Sequence, residues 1–515
     1  YMYTKKLPIG IQTFENLISE GYYYVDKTHY IYDLKNHGKY YFLSRPRRFG
    51  KSLFLSTIKS AYESKKELFN GLFIYNKWRW GNPHPVIHIS FGSGVDRNIK
   101  ELRQSFFYIL KEHSKLYNIS YSYDDLKSMF AELIHYIYKK YERKVVVLVD
   151  EYDKPILDNI EHRHTAEEIR EELKNYYSVI KDSDPYIEFV FITGVSKFSK
   201  VSLFSGLNNL KDITIDKRYS SLCGYTHEEL QHVFADRLHD VDLDQVRMWY
   251  NGYSWLGEQV YNPFDILLYL DSKEFASYWF ETGTPTFLIK LLHEKKYPIP
   301  SLENIHASEK LMGSFDVDRI EVETLLFQTG YLTINSVEKI AGTRRFSLCY
   351  PNFEVKQSLA DSLLTYLTGE LAASEKAKFS AYEALEANDL DSLKDIFQAF
   401  FASIPHDWYR KNQIAQYEGY YASIVYCYFA ALGLDVHQEE PTNMGRMDLV
   451  IRFQGRVYVL EFKVVELTDT ARALEQIKAK RYSQKFVEQE VYLIGVEFSS
   501  QERNVVGFAW EKEDS

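Results

Sequence analysis

The chain has 515 residues, enough for about three domains at roughly 150 residues each, and its 45% hydrophobic fraction suits packed cores. A formal net charge of −10 excludes a globally basic nucleic-acid binder, so any such contact must come from a local patch. The three cysteines, Cys223, Cys349 and Cys427, are far apart, which argues against structural zinc and fits a reducing compartment.

No secretory signal pattern opens the chain, and no apolar run reaches about 18 residues. A cytoplasmic protein with no membrane partner is expected. Ile9 to Gly21 reads as a short helix, and Asp26 to Leu34 as another with Thr28 at its N-cap. Asp26 and Lys27 are given no more than a structural role.

The N-terminal half is organised around the stretch from Tyr40 to Leu55. Tyr40 to Ser44 reads as a buried strand, Arg45 to Gly50 as a tight loop, and Lys51-Ser52 as the start of a helix. A strand running through a loop into Gly-Lys-Ser is how a P-loop holds phosphates. Backbone N–H groups and the helix dipole favour an anion there. Lys51 is expected to reach the β and γ phosphates of ATP, and the Ser52 hydroxyl to ligate Mg²⁺. Arg47, Arg48, Phe49, Gly50 and Leu53 complete the expected nucleotide contacts. Arg45 stands where the motif has its first glycine. The competing reading is an ordinary basic turn.

Pro85 to Phe91 is a second apolar strand, in which His88 reads as a core histidine rather than a ligand. Residues 98 to 142 look helical and charged. Lys144 to Asp153 then runs five apolar residues into Asp150-Glu151, the pattern of a central parallel strand with acids at its carboxyl edge. Ligands bind at that edge in open α/β sheets. Asp150 is expected to hold Mg²⁺ and Glu151 to polarise the attacking water; the alternative is an acidic turn. Asp153 is the weaker candidate. Thr165 to Glu168 reads as a capping box opening a helix, and His162 to His164 as an exposed loop. Ile187 to Gly194 is a third apolar strand whose tip offers Thr193 and Ser196 as sensors of the γ-phosphate. Strands and helices alternate from 40 to 215, which predicts a parallel sheet with helices on both faces.

Thr226 and Glu229 form another capping box, and the helices after it predict an all-helical lid over 216–300. From 301 to 405 the pattern is helix plus hairpin with helical connectors. Ile320 to Thr329 is the helix, and Tyr331–Ile334 and Arg345–Tyr350 are the strands. A winged-helix-like module fits, as does a packing domain without nucleic-acid contact. Ile404-Pro405-His406 is the expected boundary before a last domain over 406–515.

That last domain carries a second constellation. Met447 to Phe453 and Arg456 to Val464 flank the two residues Gln454-Gly455, which reads as a β-hairpin. Pairing outward from the turn sets Asp448 opposite Glu461, with Cβ atoms about 4.5–5.5 Å apart on one face. Lys463 shares that face by the alternation of strand side chains. Two carboxylates suit a hard cation such as Mg²⁺, and a lysine beside them can help deprotonate its water. This is the chemistry of phosphodiester hydrolysis. The alternative is a Glu–Lys ion pair on a half-exposed strand with Asp448 in a turn. The preceding helix, Gln416 to Leu432, adds Glu418 as a candidate ligand. The following helix, Ala471 to Phe486, bears Arg472, Gln476, Lys478, Lys480, Arg481 and Lys485, a phosphate-backbone contact or a solvated charged face. Val491 to Val496 is a further buried strand.

With both sites in view, the chain resembles proteins that join an AAA-ATPase-like domain to a PD-(D/E)XK nuclease superfamily domain. The N-terminal likeness rests on Tyr24–Lys27, Arg45–Ser52, Val149–Asp153 and Ile192–Ser196; the C-terminal one on Glu418, Asp448, Glu461–Lys463 and Gln476. The likeness covers about residues 5–215 and 410–510 and matches the middle loosely. It implies a P-loop AAA-like parallel sheet over 1–215 and a restriction-endonuclease-like α/β domain at the C-terminus. It also implies that Arg45 is compatible with ATP binding, and that Glu418, Asp448, Glu461, Lys463 and Gln476 form a catalytic set. No proline precedes Asp448, a departure that the superfamily tolerates. The expected function is an ATPase coupled to a Mg²⁺-dependent nuclease acting on nucleic acid, DNA ahead of RNA, with a homo-oligomer allowed. The alternatives are an ATP-dependent signalling or defence switch that only binds nucleic acid, and an interaction protein with both sites vestigial.

Overall fold

The structure is a computed structural model that describes residues 5–281, 286–295, 297–313, 316–317, 319–368, 371–404, 418–438, 448–467, 472–480, 485–486 and 488–513. The chain divides into two compact units, Tyr1–Trp279 with His306–Ser347, and Phe280–Ile305 with Leu348–Ser515.

The first unit is built on a parallel sheet of β1 (Tyr40–Ser44), β2 (Val86–Ser90), β3 (Val145–Asp150), β4 (Ile187–Gly194) and β5 (Lys211–Asp212). Their order is β2-β3-β4-β1-β5. Val145 to Val149 are all fully buried, as a strand apolar on both faces must be between helical layers. Because β4 lies between β1 and β3, Ser44 pairs with Gly194 and Val149 with Ile192. The loop after β1, the acids after β3 and the tip of β4 therefore meet at one edge, the carboxyl edge where ligands bind. Helix α1 (Lys51–Tyr62) leaves the loop, burying Phe54, Leu55 and Ile58.

Two helix starts differ from expectation. Helix α2 (Arg163–Asp182) begins before Thr165, with His162 at the N-cap and no side-chain cap. Its first turn continues from a turn in which His162 N–H donates to the Asn159 carbonyl, so no box at Thr165 is needed. The helix Thr28–His37 takes its capping oxygen from Asp26, whose Oδ1 accepts from Thr28 N–H at 2.8 Å; Thr28 is its first residue. The Thr226–Glu229 box has both halves in place. His88 lies in β2, and its backbone N–H donates to His113 Nε2 at 3.0 Å. Beyond the sheet, helices pack around Leu230, Phe234, Val246, Tyr250, Ile266 and Leu270. A small sheet of β6 (Ile305–Ser308), β7 (Thr333–Ile340) and β8 (Thr343–Cys349), in the order β6-β8-β7, follows, with helix α3 (Val322–Thr329) between β6 and β7 in the chain.

The second unit carries α4 (Glu418–Ala431), α5 (Ala473–Lys478) and a mixed sheet. Its strands are β9 (Asp435–Gln438), β10 (Asp448–Phe453), β11 (Arg456–Val464), β12 (Glu490–Ser499) and β13 (Asn504–Glu513). Their order is β13-β12-β11-β10-β9, with β11 and β12 parallel and the other pairs antiparallel. The basic helix expected from Ala471 to Phe486 is shorter: among the described residues it spans Ala473–Lys478 and ends in a turn at Ala479-Lys480. Ala471, Arg481 and the boundary residues Pro405-His406 lie outside the described residues, as do Gln416 and Met447. Among the described residues no helix is long and apolar enough to cross a membrane.

Candidate active sites

At the carboxyl edge of the first sheet, Gly50 caps α1 with φ +91° and Arg48 has φ +65°. An added Cβ at Gly50 meets nothing within 4 Å, so the left-handed backbone, not space, asks for glycine there. Lys51 is 7% exposed, and its ammonium donates to the Pro46 carbonyl at 2.9 Å, spanning the loop it follows. Burial lowers its pKa, and the nearby Asp150 opposes that shift.

Ser52 Oγ donates to Asp150 Oδ2 at 2.6 Å, joining the loop to the end of β3 across 98 residues of chain. Asp150 is 3% exposed, and its Oδ1 is buried with no hydrogen-bond partner. A buried carboxylate oxygen left unsatisfied costs free energy. Beside a serine hydroxyl it makes a donor set that fits a hard divalent cation. Glu151 follows with φ +51°, a left-handed backbone unusual for a non-glycine residue and commonest at functional turns. Burial raises its pKa, and the charge of Asp150 adds to the rise.

The remaining loop residues serve as braces. Arg45 is fully buried and donates to the carbonyls of Ser44, Thr214 and Tyr219 at 2.9, 2.8 and 3.1 Å. Its guanidinium lies 4.1 Å from the Trp255 ring centroid, and burial brings its pKa down to about 10. The residue at the missing glycine position is thus a strut inside the core. Phe49 is 1% exposed and packs edge-on against Tyr253 and Trp255. Arg47 lies 5.2 Å from the Trp279 ring and Arg48, exposed, 4.9 Å from the Phe264 ring. Leu53 lies half-buried in the first turn of α1.

The sensor assignment to Thr193 needs correction. Thr193 is fully buried, and its hydroxyl donates to the Leu43 carbonyl at 2.8 Å, so it ties β4 to β1. Ser196 donates through N–H and Oγ to Asp153 Oδ2 at 2.8 and 2.7 Å, which makes Asp153 a buried brace for the β4 tip. Lys27 is also structural: its ammonium lies 2.7 Å from Glu229 and from the Ser221 carbonyl.

In the second unit, the Gln454-Gly455 turn sets the register read from the sequence. Asp448 pairs with Glu461, Val450 with Val459 and Phe453 with Arg456. One row of β11 thus carries Val457, Val459, Glu461 and Lys463, and neighbours Val491, Leu493, Gly495 and Glu497 on β12. The row is apolar at the turn end, where Val450, Val457, Val459, Val491 and Leu493 form one core with Ile477 of α5. It is charged at the other end, where Glu461 is 2% and Lys463 6% exposed. Burying such groups costs several kcal/mol unless they are paired or ligate a cation.

Helix α4 covers the opposite face, since its Tyr421 stacks on Phe498 at 4.2 Å and Phe498 stacks in turn on Phe462. Phe498 follows Glu497 directly, so the N-terminal turn of α4, which Glu418 opens, stands at the charged end of the sheet. The side chains of Glu418 and Asp448 lie outside the described residues. Among the described residues no three acids, histidines or cysteines converge on one point. Gln476 is half-buried on α5, and Lys478 pairs with Glu511, so its charge is spent away from the hairpin.

The sequence singles out neither Gly495 nor Glu497, and it offers Lys480 only as one charge of a basic helix and not as a partner of Glu461. A Cβ on Gly495 would stand 2.3 Å from Leu474 N, so only glycine lets α5 approach the strand beside Glu461. Glu497 Oε1 accepts from Ala473 N–H at 3.1 Å, at the start of α5. Lys480 Nζ lies 3.6 Å from Glu461 Oε2. A glycine inside an otherwise apolar strand was the only visible signal of this close approach.

Comparison with known proteins agrees with this two-part layout. The family model described as predicted AAA-ATPase matches residues 8–204, and that of the PD-(D/E)XK nuclease superfamily matches residues 416–508. An uncharacterized protein in the vnfD 5′ region of Azotobacter chroococcum mcd 1 is 52% identical over 514 residues, covering 99% of each chain.

Proposed function

Because this chain belongs to the family that joins an AAA-ATPase-like domain to a PD-(D/E)XK nuclease superfamily domain, we propose that it hydrolyses ATP and cleaves nucleic acid at two separate sites. Nucleotide state governs access to the nucleic acid, with DNA preferred over RNA. At the first site Lys51 and the amide groups at the start of α1 hold the phosphates. Ser52 and Asp150 hold Mg²⁺, and Glu151 orients and deprotonates the attacking water, for which a raised pKa makes it a stronger base. At the second site Asp448 and Glu461 hold Mg²⁺, with Glu418 and Gln476 beside them, and Lys463 orients the water. Bound Mg²⁺ at each site neutralises phosphate charge and acidifies water.

The observation that supports the nuclease half most is the register that sets Asp448 opposite Glu461 with Lys463 in the same row. Cleavage of DNA and RNA in Mg²⁺ by the wild type and by Glu461→Ala tests it. Cleavage by the wild type and none by the variant is expected; equal cleavage by both overturns the assignment.

A second reading, an ATP-driven switch whose C-terminal domain binds nucleic acid without cutting it, is favoured by one observation. Residues on and around α3 touch the phosphate loop at Pro46, the turn after β4 and helix α2. A Cβ on Gly330 would stand 2.8 Å from Pro46, Gln328 Oε1 accepts from Lys197 N–H at 2.6 Å, and Arg170 Nη1 donates to Asp316 Oδ1 at 2.8 Å. Nucleotide-dependent assembly in light scattering, with no cleavage, selects this reading.

A further inference from the structure

The C-terminal site contains a cation that its expected motif does not include. Glu461 is buried, and a carboxylate in such a place requires a counter-charge. Lys480 Nζ stands 3.6 Å from its Oε2. Lys480 lies in the turn that ends α5, and its side chain is 43% exposed while that of Glu461 is 3% exposed. The lysine thus faces solvent on one side, whereas the carboxylate is enclosed.

The delivery of Lys480 is built into the fold. Gly495 pairs with Glu461 in the β11–β12 register and offers α5 a notch that any side chain would fill. Glu497, two residues on, accepts from Ala473 N–H and pins the start of the helix. Gly507 makes room for that pin, since a Cβ there would stand 2.5 Å from Glu497 Oε2. Ile477 anchors the middle of the helix on the apolar end of the same row. Seated at these points, the short helix carries its last turn to Glu461.

We propose that Lys480 is a positioning residue of the C-terminal site: it holds Glu461 as a resident counter-ion and gives way when a divalent cation binds. The inference rests on the nuclease-type reading of this site. It has a sign that a merely structural lysine lacks. A positive charge beside a cation site weakens cation binding, so removing it strengthens binding.

The test uses full-length protein carrying Asp150→Asn, to remove metal binding at the first site, and Mn²⁺ as the probe, titrated by electron paramagnetic resonance without nucleotide. The Asp150→Asn chain is expected to bind one Mn²⁺ that Glu461→Gln abolishes. Adding Lys480→Gln is expected to tighten that Mn²⁺ about three- to fivefold, the scale of a half-exposed ion pair. Lys480→Arg keeps the original affinity. Melting gives a second readout: Lys480→Gln lowers Tm in EDTA, and saturating Mg²⁺ erases the difference. Unchanged or weaker Mn²⁺ binding by Lys480→Gln, with one ion still held at Glu461, overturns the proposal and leaves the nuclease-type reading standing. No Mn²⁺ bound at Glu461 in the Asp150→Asn chain overturns both.

Discussion

The two sites are made in opposite ways. The proposed nucleotide site is a loop, and its shape depends on partners far along the chain. Arg45 is tied to Thr214 and Tyr219, Phe49 to Tyr253 and Trp255, and Ser52 to Asp150. The C-terminal site is one row of a sheet, and its shape comes from strand alternation and a two-residue turn. A loop must be braced from outside, whereas a strand row is braced by its own ladder. The first kind of site should therefore fail through distant contacts, and the second through its own residues and the helix seated on it.

The largest effect should come from separating the two chemistries. Lys463→Ala is expected to lower nucleic-acid cleavage about 10²- to 10⁴-fold while leaving ATP hydrolysis unchanged. Lys51→Ala is expected to lower ATP hydrolysis by about 10²- to 10³-fold, to change cleavage only through its dependence on nucleotide, and to leave Mn²⁺ binding at Glu461 intact. Steady-state assays of both activities on both variants check this. Loss of both activities in both variants would show one shared centre and break the comparison.

Arg45→Gly comes next. It restores the glycine of the ordinary phosphate-loop pattern, yet it removes three buried hydrogen bonds and the contact with Trp255. It is expected to destabilise the first unit by about 3 kcal/mol or more, measured by urea denaturation. A more stable protein that still binds ATP would contradict the strut. Gly495→Ala has a smaller expected cost, about 1–3 kcal/mol, because α5 must shift away from its strand. Cleavage should fall with it while ATP hydrolysis holds.

The smallest effect concerns acid. Asp212 lies 3.0 Å from Lys197 and 3.1 Å from Lys200. Although burial pushes the other way, these two cations hold its pKa well below the usual carboxylate range. A depressed folded pKa contributes stability that is present above the unfolded value of about 3.9 and is lost as pH falls below it. Asp212→Asn should therefore make the first unit less stable at neutral pH and flatten its loss of stability between about pH 4 and 2. An unchanged acid limb would remove Asp212 from the account.

How much of this was legible in the sequence divides along the same line. The strands Tyr40–Ser44 and Ile187–Gly194 and the start of α1 at Lys51 were readable because buried parallel strands are continuous apolar runs. The pairing of Asp448 with Glu461 was readable because a two-residue turn leaves one register. The inward turn of Thr193 was not, since it depends on the Leu43 carbonyl of a strand 150 residues away. Nor was the role of Arg45, whose partners Thr214 and Tyr219 are distant in sequence. Charge counting along 471–486 suggested one long basic helix, but only Ala473–Lys478 is helical among the described residues, and Lys478 faces Glu511. Position along a helix says which residues share a face and says nothing of the acids brought opposite them by another strand.

The most direct measurement is anomalous diffraction from crystals of the full chain soaked in Mn²⁺ without nucleotide. A peak is expected within coordination distance of Glu461 and Asp448, on the face of the hairpin that α5 covers. A peak at Ser52 and Asp150 alone, with none beside Glu461, would contradict it.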